Sequence, residues 1–292
     1  MDRADLYRWC SIPADKLAGH PGRRTPFRMV ETREEMGELM AGELAAEIES
    51  SNKAKRDFRV IVPCGPKCWY EPFARIVNSR GISMTRVTVF HMDDCLDWEG
   101  RPLPAGHPYN FRSFMDEFFY KPIRPELAVP VSQRVYPEVE KISEILRRLD
   151  EAPIDMTLGG WGQDGHVAYN QARRNPYSTL TAAELRGSRL RVQDNNTDTL
   201  IALGERSFGS AWQFVPPMSI SLGLKDCLSA KKIRLYSDTG SWKQTALRVA
   251  LFSDPSVEYP MTFLQEHPDA LITATRETAT HPISLHPEWQ LL

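Results

Sequence analysis

The 292-residue sequence has no apolar run long enough to cross a bilayer; its longest, such as RVIVP (59–63) and RVTVF (86–90), are strand-sized. Its opening, MDRADLYRWCSIPADK, is charged and lacks the apolar centre of a secretory signal. An excess of one charge is also missing. The 36 Lys and Arg nearly balance 38 Asp and Glu, for a formal net charge of -2. No basic stripe points to nucleic acid, and no cationic amphipathic helix points to a membrane surface. Cysteine is scarce: five residues, an odd number at irregular spacing, exclude a disulfide framework. No Walker pattern occurs, which argues against an ATP site. Cys64 and Cys68 are separated by three residues, and His91, Asp93 and Cys95 alternate with non-ligands. No second pair at zinc spacing accompanies them, so no metal is expected. These absences describe a cytoplasmic protein with reduced thiols.

What is present is an alternation of strands and helices. Residues 1–27 are rich in Pro, Gly and Arg without a clear period and read as an extended arm, pinned by Leu6, Trp9 and Ile12. Thr32 with Glu35 forms a capping box for a helix over 32–52, whose Met36, Met40, Leu44 and Ile48 share one face. FRVIVP (58–63) reads as a buried strand. CWYEPFARIVNSRG (68–81) reads as a helix with Pro72 in its first turn and Gly81 at its end. TRVTVFHM (85–92) is the next strand, which makes a βαβ unit and predicts parallel pairing with a right-handed crossover. Helices over 111–120 and 138–150, a strand at 154–158 and a long, poorly patterned polar segment from 172 to 215 follow. MSISLGL, KKIRLYS, the helix SWKQTALRVALF and ALITAT complete the series. The expectation is one doubly wound α/β domain over 28–292, with a mostly parallel sheet and helices on both faces.

In such sheets ligands bind beyond the carboxyl ends of the strands. Three of those ends carry polar residues: CGPK (64–67), HMDD (91–94) and WGQDGH (161–166). Taken singly, each has a plainer explanation. Asp93, Asp94 and Asp164 are ordinary turn acids, and His166, followed by VAY, suits a satisfied core histidine. Together at three ends of one sheet they describe a cleft equipped for general acid–base chemistry. Gly162 and Gly165 let the chain turn sharply and bring main-chain N–H groups near a ligand. Cys64 is a minor candidate nucleophile if a helix N-terminus lowers its pKa.

FHMDD, then HPYNFRSFM, LGGWGQDGHVAYNQ, GSWKQTAL and FLQEHPDALI, in this order over roughly residues 28–276, resemble the glucosamine-6-phosphate deaminase/isomerase family, relatives of the 6-phosphogluconolactonases. The resemblance implies a modified Rossmann-like α/β sandwich and a sugar-phosphate substrate, with no metal or redox cofactor, and is compatible with a homo-oligomer. It implies that Asp93 moves the proton between C1 and C2, that Asp164 is the second acid, and that His166 opens the sugar ring. Lys243 and Arg206 match cations beside the substrate phosphate. Cys64, Gly65 and Lys67 of the first loop, with Asp94 and Gly162, are the remaining expected substrate contacts.

Two positions depart from the family pattern. Gln171 stands where the deaminases carry a glutamate that supports the ring-opening histidine; an amide orients an imidazole but brings no charge. PCGPKC replaces a Thr/Ser- and Gly-rich phosphate turn, so Pro66 removes a donor and Cys64 a hydroxyl. An altered isomerase or deaminase is therefore the leading expectation. A lactone hydrolase is second, and a non-catalytic sugar-phosphate sensor third.

Overall fold

The computed structural model describes residues 1–171, 177 and 179–292. Ten strands are placed: β1 (Phe27–Val30), β2 (Phe58–Val62), β3 (Val87–His91), β4 (Asp93–Leu96), β5 (Arg134–Val135), β6 (Met156–Gly159), β7 (Arg191–Asp194), β8 (Met218–Ser221), β9 (Lys232–Ser237) and β10 (Ala270–Thr275). Seven of them form one sheet in the order β1-β10-β9-β6-β2-β3-β5, in which the pairings are parallel. The expected β2–helix–β3 unit pairs in parallel, with Val60 opposite Val89. The chain runs from β2 to β3 in one direction and from β6 through β9 to β10 in the other. The adjacent strands β2 and β6 thus form the switch point.

Alternation along the strands builds the two halves of the core. Val60, Val62, Val87, Val89, Met156 and Leu158 face one apolar cluster; Ile61, Phe90, Ile233 and Leu235 face the other. Helix Arg33–Lys53 brings Met36, Met40, Leu44 and Ile48 to the first cluster, as their spacing predicts. Its cap is Thr32, whose hydroxyl accepts the Glu35 N–H at 3.1 Å, while the Glu35 carboxylate takes the Glu31 N–H rather than that of Thr32. Helix Tyr70–Arg80 joins the same face and ends at Gly81 in the left-handed region. Helices Ile142–Asp150 and Gln244–Phe252 cover the other face through Ile145, Leu149, Leu247 and Leu251.

Three expectations are corrected here. The first residues are not an extended arm: Asp2 caps a helix over Arg3–Cys10 by accepting the N–H of Ala4 and Asp5, and a second short helix spans Ala14–Leu17. Local capping outweighs the Pro- and Gly-rich composition around it. Trp9 and Ile12 do pack on the main core, and Leu17 is fully buried within it. MSISLGL is not a strand of the parallel sheet, since β8 pairs antiparallel with β4 and β7 in a separate three-stranded sheet. The segment 172–215 is partly ordered by local signals the reading passed over. A Thr181–Glu184 capping box starts helix Ala182–Gly187, and helix Thr197–Phe208 follows β7. Residues 172–176 and 178 of that segment lie outside the described residues. The helix expected at 111–120 widens along its length, α-helical over Phe111–Met115 and π-helical over Asp116–Tyr120. No helix among the described residues is long and apolar enough to cross a membrane.

Candidate active site

A cavity of about 690 Å³ opens at the carboxyl ends of β2, β3, β6 and β9. It lies at the switch point, where strands that diverge leave a crevice between their loops. Three loops expected to converge do so: Cys64, Gly65 and Lys67 after β2, Asp93 after β3, and His166 after β6 all line it. The predicted cations Arg206 and Lys243 line it as well.

The acid–base end is fixed by backbone. Gly165 turns the loop with φ +71°, and its N–H donates to the Gly162 carbonyl at 3.0 Å. The Gly162 N–H donates to the His166 carbonyl at 3.0 Å. A Cβ on Gly162 would lie 2.0 Å from His166 Cε1, so only glycine lets the imidazole lie against this turn. Asp164, buried, sits 2.6 Å from His166 Nδ1 and takes its proton in a hydrogen bond. That leaves Nε2 as the ring nitrogen able to meet a ligand. Burial pushes Asp164 up, but the His166 charge and its hydrogen bonds outweigh this and hold the carboxyl below its ordinary range. Tyr169 stacks on His166 with ring centroids 5.6 Å apart.

Asp93 begins β4, between the two sheets. Burial, reinforced by the charge of Asp94 and opposed by His166, raises its pKa from 3.8 to about 7. A carboxyl held near neutrality can both accept and return a proton at physiological pH.

The cation end is built on rings and charge. The Arg206 guanidinium lies 3.7 Å over the Trp242 ring, and Lys243 Nζ lies 4.9 Å from the same ring. Burial, countered by Asp238 and aided by Arg206, lowers the Lys243 pKa from 10.5 to about 8. Burial also lowers that of Arg206. Neither cation has a carboxylate within ion-pair distance among the described residues, so an anionic ligand would relieve both. Lys67 Nζ sits 4.0 Å from the centre of the Phe114 ring on the β2 side.

Several expected site residues take other positions. Asp94 does not line the cavity; its Oδ1 accepts the N–H of Cys95 at 2.8 Å and of Phe111 at 2.9 Å, tying β4 to the next helix. Gly162 does not line it either, because its N–H is already used and its open side holds the imidazole. Asp164 and Gln171 stand behind His166 rather than at the surface of the cavity. Cys64 lines the cavity, but burial pushes its thiol far up, which removes the thiolate a nucleophile needs.

The sequence reading missed Arg33, Tyr109, Trp161, Tyr169, Asp238 and Thr239, which also line the cavity. Asp238 follows β9 and pairs with Arg33 Nε at 2.9 Å. The strand-end rule applied to KKIRLYS would have found Asp238 and Thr239. Arg33, in the first turn of a helix, carries no local sign of its destination.

An open α/β sheet with an acid–base cluster facing two cations across one crevice has the form of an enzyme for a small anionic molecule. The chain belongs to the glucosamine-6-phosphate deaminase family. It is 30% identical over 245 residues to the glucosamine-6-phosphate deaminase of Parabacteroides distasonis, covering 82% of this chain and 84% of that one. The Caenorhabditis elegans glucosamine-6-phosphate deaminase is 27% identical over 252 residues, covering 85% and 88%. Among solved structures, a monomeric glucosamine-6-phosphate deaminase shares the fold with a TM-score of 0.71 at 21% identity, over 87% of this chain and 98% of that chain. A 6-phosphogluconolactonase from Shewanella baltica OS155 shares it with a TM-score of 0.59 at 15% identity, over 86% and 97%. No family model matches the chain.

Proposed function

We propose that this chain is a cytoplasmic isomerase/deaminase-like enzyme for glucosamine 6-phosphate or a close relative, moving a proton between C1 and C2 with or without release of the amine. One observation carries the reading: Asp93, tuned to about 7, and His166, fixed by Asp164, share a cavity with Arg206 and Lys243.

The chemistry runs from these groups. The phosphate rests on Lys243 as a point charge and on Arg206 as a planar fork. His166, its Nδ1–H hydrogen-bonded to Asp164, takes the C1 hydroxyl proton at Nε2 and passes it to the ring oxygen as the bond between C1 and that oxygen breaks, leaving the C1 carbonyl. The Asp93 carboxylate then takes the C2 proton, acidified by the neighbouring C1 carbonyl, and delivers it to C1. Its half-buried, raised carboxyl is a stronger base than a solvated one and still ionises near pH 7.

The test is solvent-deuterium exchange at C2 of hexosamine 6-phosphates and hexose 6-phosphates. Exchange lost in Asp93→Asn supports the assignment, and exchange unchanged in that variant removes it. Gln171 favours one second reading, hydrolysis of a phosphorylated sugar lactone by water activated at His166, because its amide offers no charge to stabilise an imidazolium. Acid release from such lactones without ammonia from amino sugars would select it.

A further inference from the structure

One hydroxyl holds both ends of the loop that carries His166. Gln163 Nε2 donates to Thr199 Oγ1 at 3.0 Å, and Gln171 Nε2 donates to the same oxygen. The Gln171 Oε1 accepts the Asn196 N–H at 2.9 Å, which fixes which way round this amide lies. Its Nε2 stands 3.2 Å from His166 Nδ1, the atom that Asp164 also approaches. Nδ1 can donate to the carboxylate or accept from the amide, never both at once. The position of Gln171 therefore bears directly on the orientation and tautomer of the imidazole.

Thr199 is buried in the first turn of helix Thr197–Phe208. Arg206 lies seven residues further on, close to two turns, so the two side chains leave from nearly the same face. One of them meets the catalytic loop and the other lines the cavity. The helix is a rigid bar between the anion subsite and the imidazole.

We infer that Thr199 is a positioning residue: it couples the loop bearing His166 to the helix bearing Arg206, so that an anion seated on Arg206 steadies the imidazole. The inference rests on the proposed reading of Arg206 as a contact to the substrate's anionic group. Physically it is a way for the remote, non-reacting end of a substrate to act on the reacting end. A capping role for Thr199 alone would alter stability and leave the chemistry untouched.

The test compares Thr199→Val with Thr199→Ser. Turnover is measured with glucosamine 6-phosphate, and with unphosphorylated glucosamine in the presence and absence of inorganic phosphate. The ring nitrogen resonances of His166 are followed as inorganic phosphate is added. In the wild type, phosphate should shift those resonances and activate turnover of the unphosphorylated sugar. Thr199→Val should abolish both responses and lower kcat about 10- to 100-fold with little change in KM. Thr199→Ser, which restores the hydroxyl, should recover most of the loss. Should the Val variant fail to fold, Gln163→Leu cuts one tie from the loop side and should give a smaller loss of the same kind. Unchanged kcat in Thr199→Val, a wild-type phosphate response that persists in it, or no rescue by Ser overturns the inference. If no hexosamine turns over but phosphate moves the His166 resonances in the wild type and not in Thr199→Val, the proposed reaction falls and the coupling stands.

Discussion

The two ends of the cavity are held by different means. Around His166 and Asp93 the chain uses backbone hydrogen bonds, a glycine that no other residue can replace, and the ends of buried strands. Around Arg206 and Lys243 it uses the face of one tryptophan, with no carboxylate at ion-pair distance of either cation among the described residues. Proton transfer fails when donor and acceptor move by a fraction of an ångström, whereas attraction to an anion falls off only slowly with distance. The rigid end is where chemistry would be lost by displacement. The looser end is where affinity would be lost by removing charge.

The sharpest way to break this contrast is Asp93→Asn, which should lower kcat about 10²- to 10⁴-fold as a general base is lost. It should also change how stability depends on pH. The Asp93 pKa in the fold, about 7, exceeds its ordinary 3.8, so between these values the native state holds a proton that the unfolded state has released. Stability therefore falls as pH rises through this window. Thermal unfolding of Asp93→Asn at pH 5 and pH 8 should show a smaller loss than the wild type. Wild-type turnover should rise with pH up to about 7, as the carboxylate forms. An identical pH dependence of stability in the two proteins would refute the tuned acid.

Gly162→Ala should follow, with kcat reduced about 10²-fold and KM nearly unchanged, because the new methyl displaces the imidazole and not the anion subsite. A KM effect larger than the kcat effect would contradict that separation. Arg206→Lys keeps the charge but loses the fork and the stacking on Trp242. It should raise KM about tenfold, more so at high salt, with a smaller effect on kcat. The smallest catalytic effect is expected from Leu17→Ala, remote from both ends. It should cost about 2–5 kcal/mol in denaturant unfolding and leave kcat per folded molecule unchanged.

Much of this architecture could be read from the chain. The buried strands FRVIVP and TRVTVF announce themselves by apolar runs, and helix Arg33–Lys53 by its four-residue period and Thr32 cap. The loops after β2, β3 and β6 were legible as a site because strand ends in parallel sheets gather. The second sheet was not. Its strands β4, β7 and β8 are four residues long with polar positions, and their antiparallel pairing joins segments far apart in sequence. Asp94 looked like the equal of Asp93, yet β4 turns it toward the Phe111 amide. Arg33 and Asp238 meet across the sheet from elements about 200 residues apart, and no local pattern encodes that.

The sequence by itself determined the strand–helix alternation, the three polar strand ends and the family, since these depend on periodicity and on short, contiguous motifs. Tertiary structure alone decided which carboxylate faces the cavity, that Asp164 stands behind the imidazole, and that Thr199 joins the loop to the helix of Arg206. Those outcomes depend on the rotation of each strand and the docking of distant elements, and burial then sets the charge each group can carry.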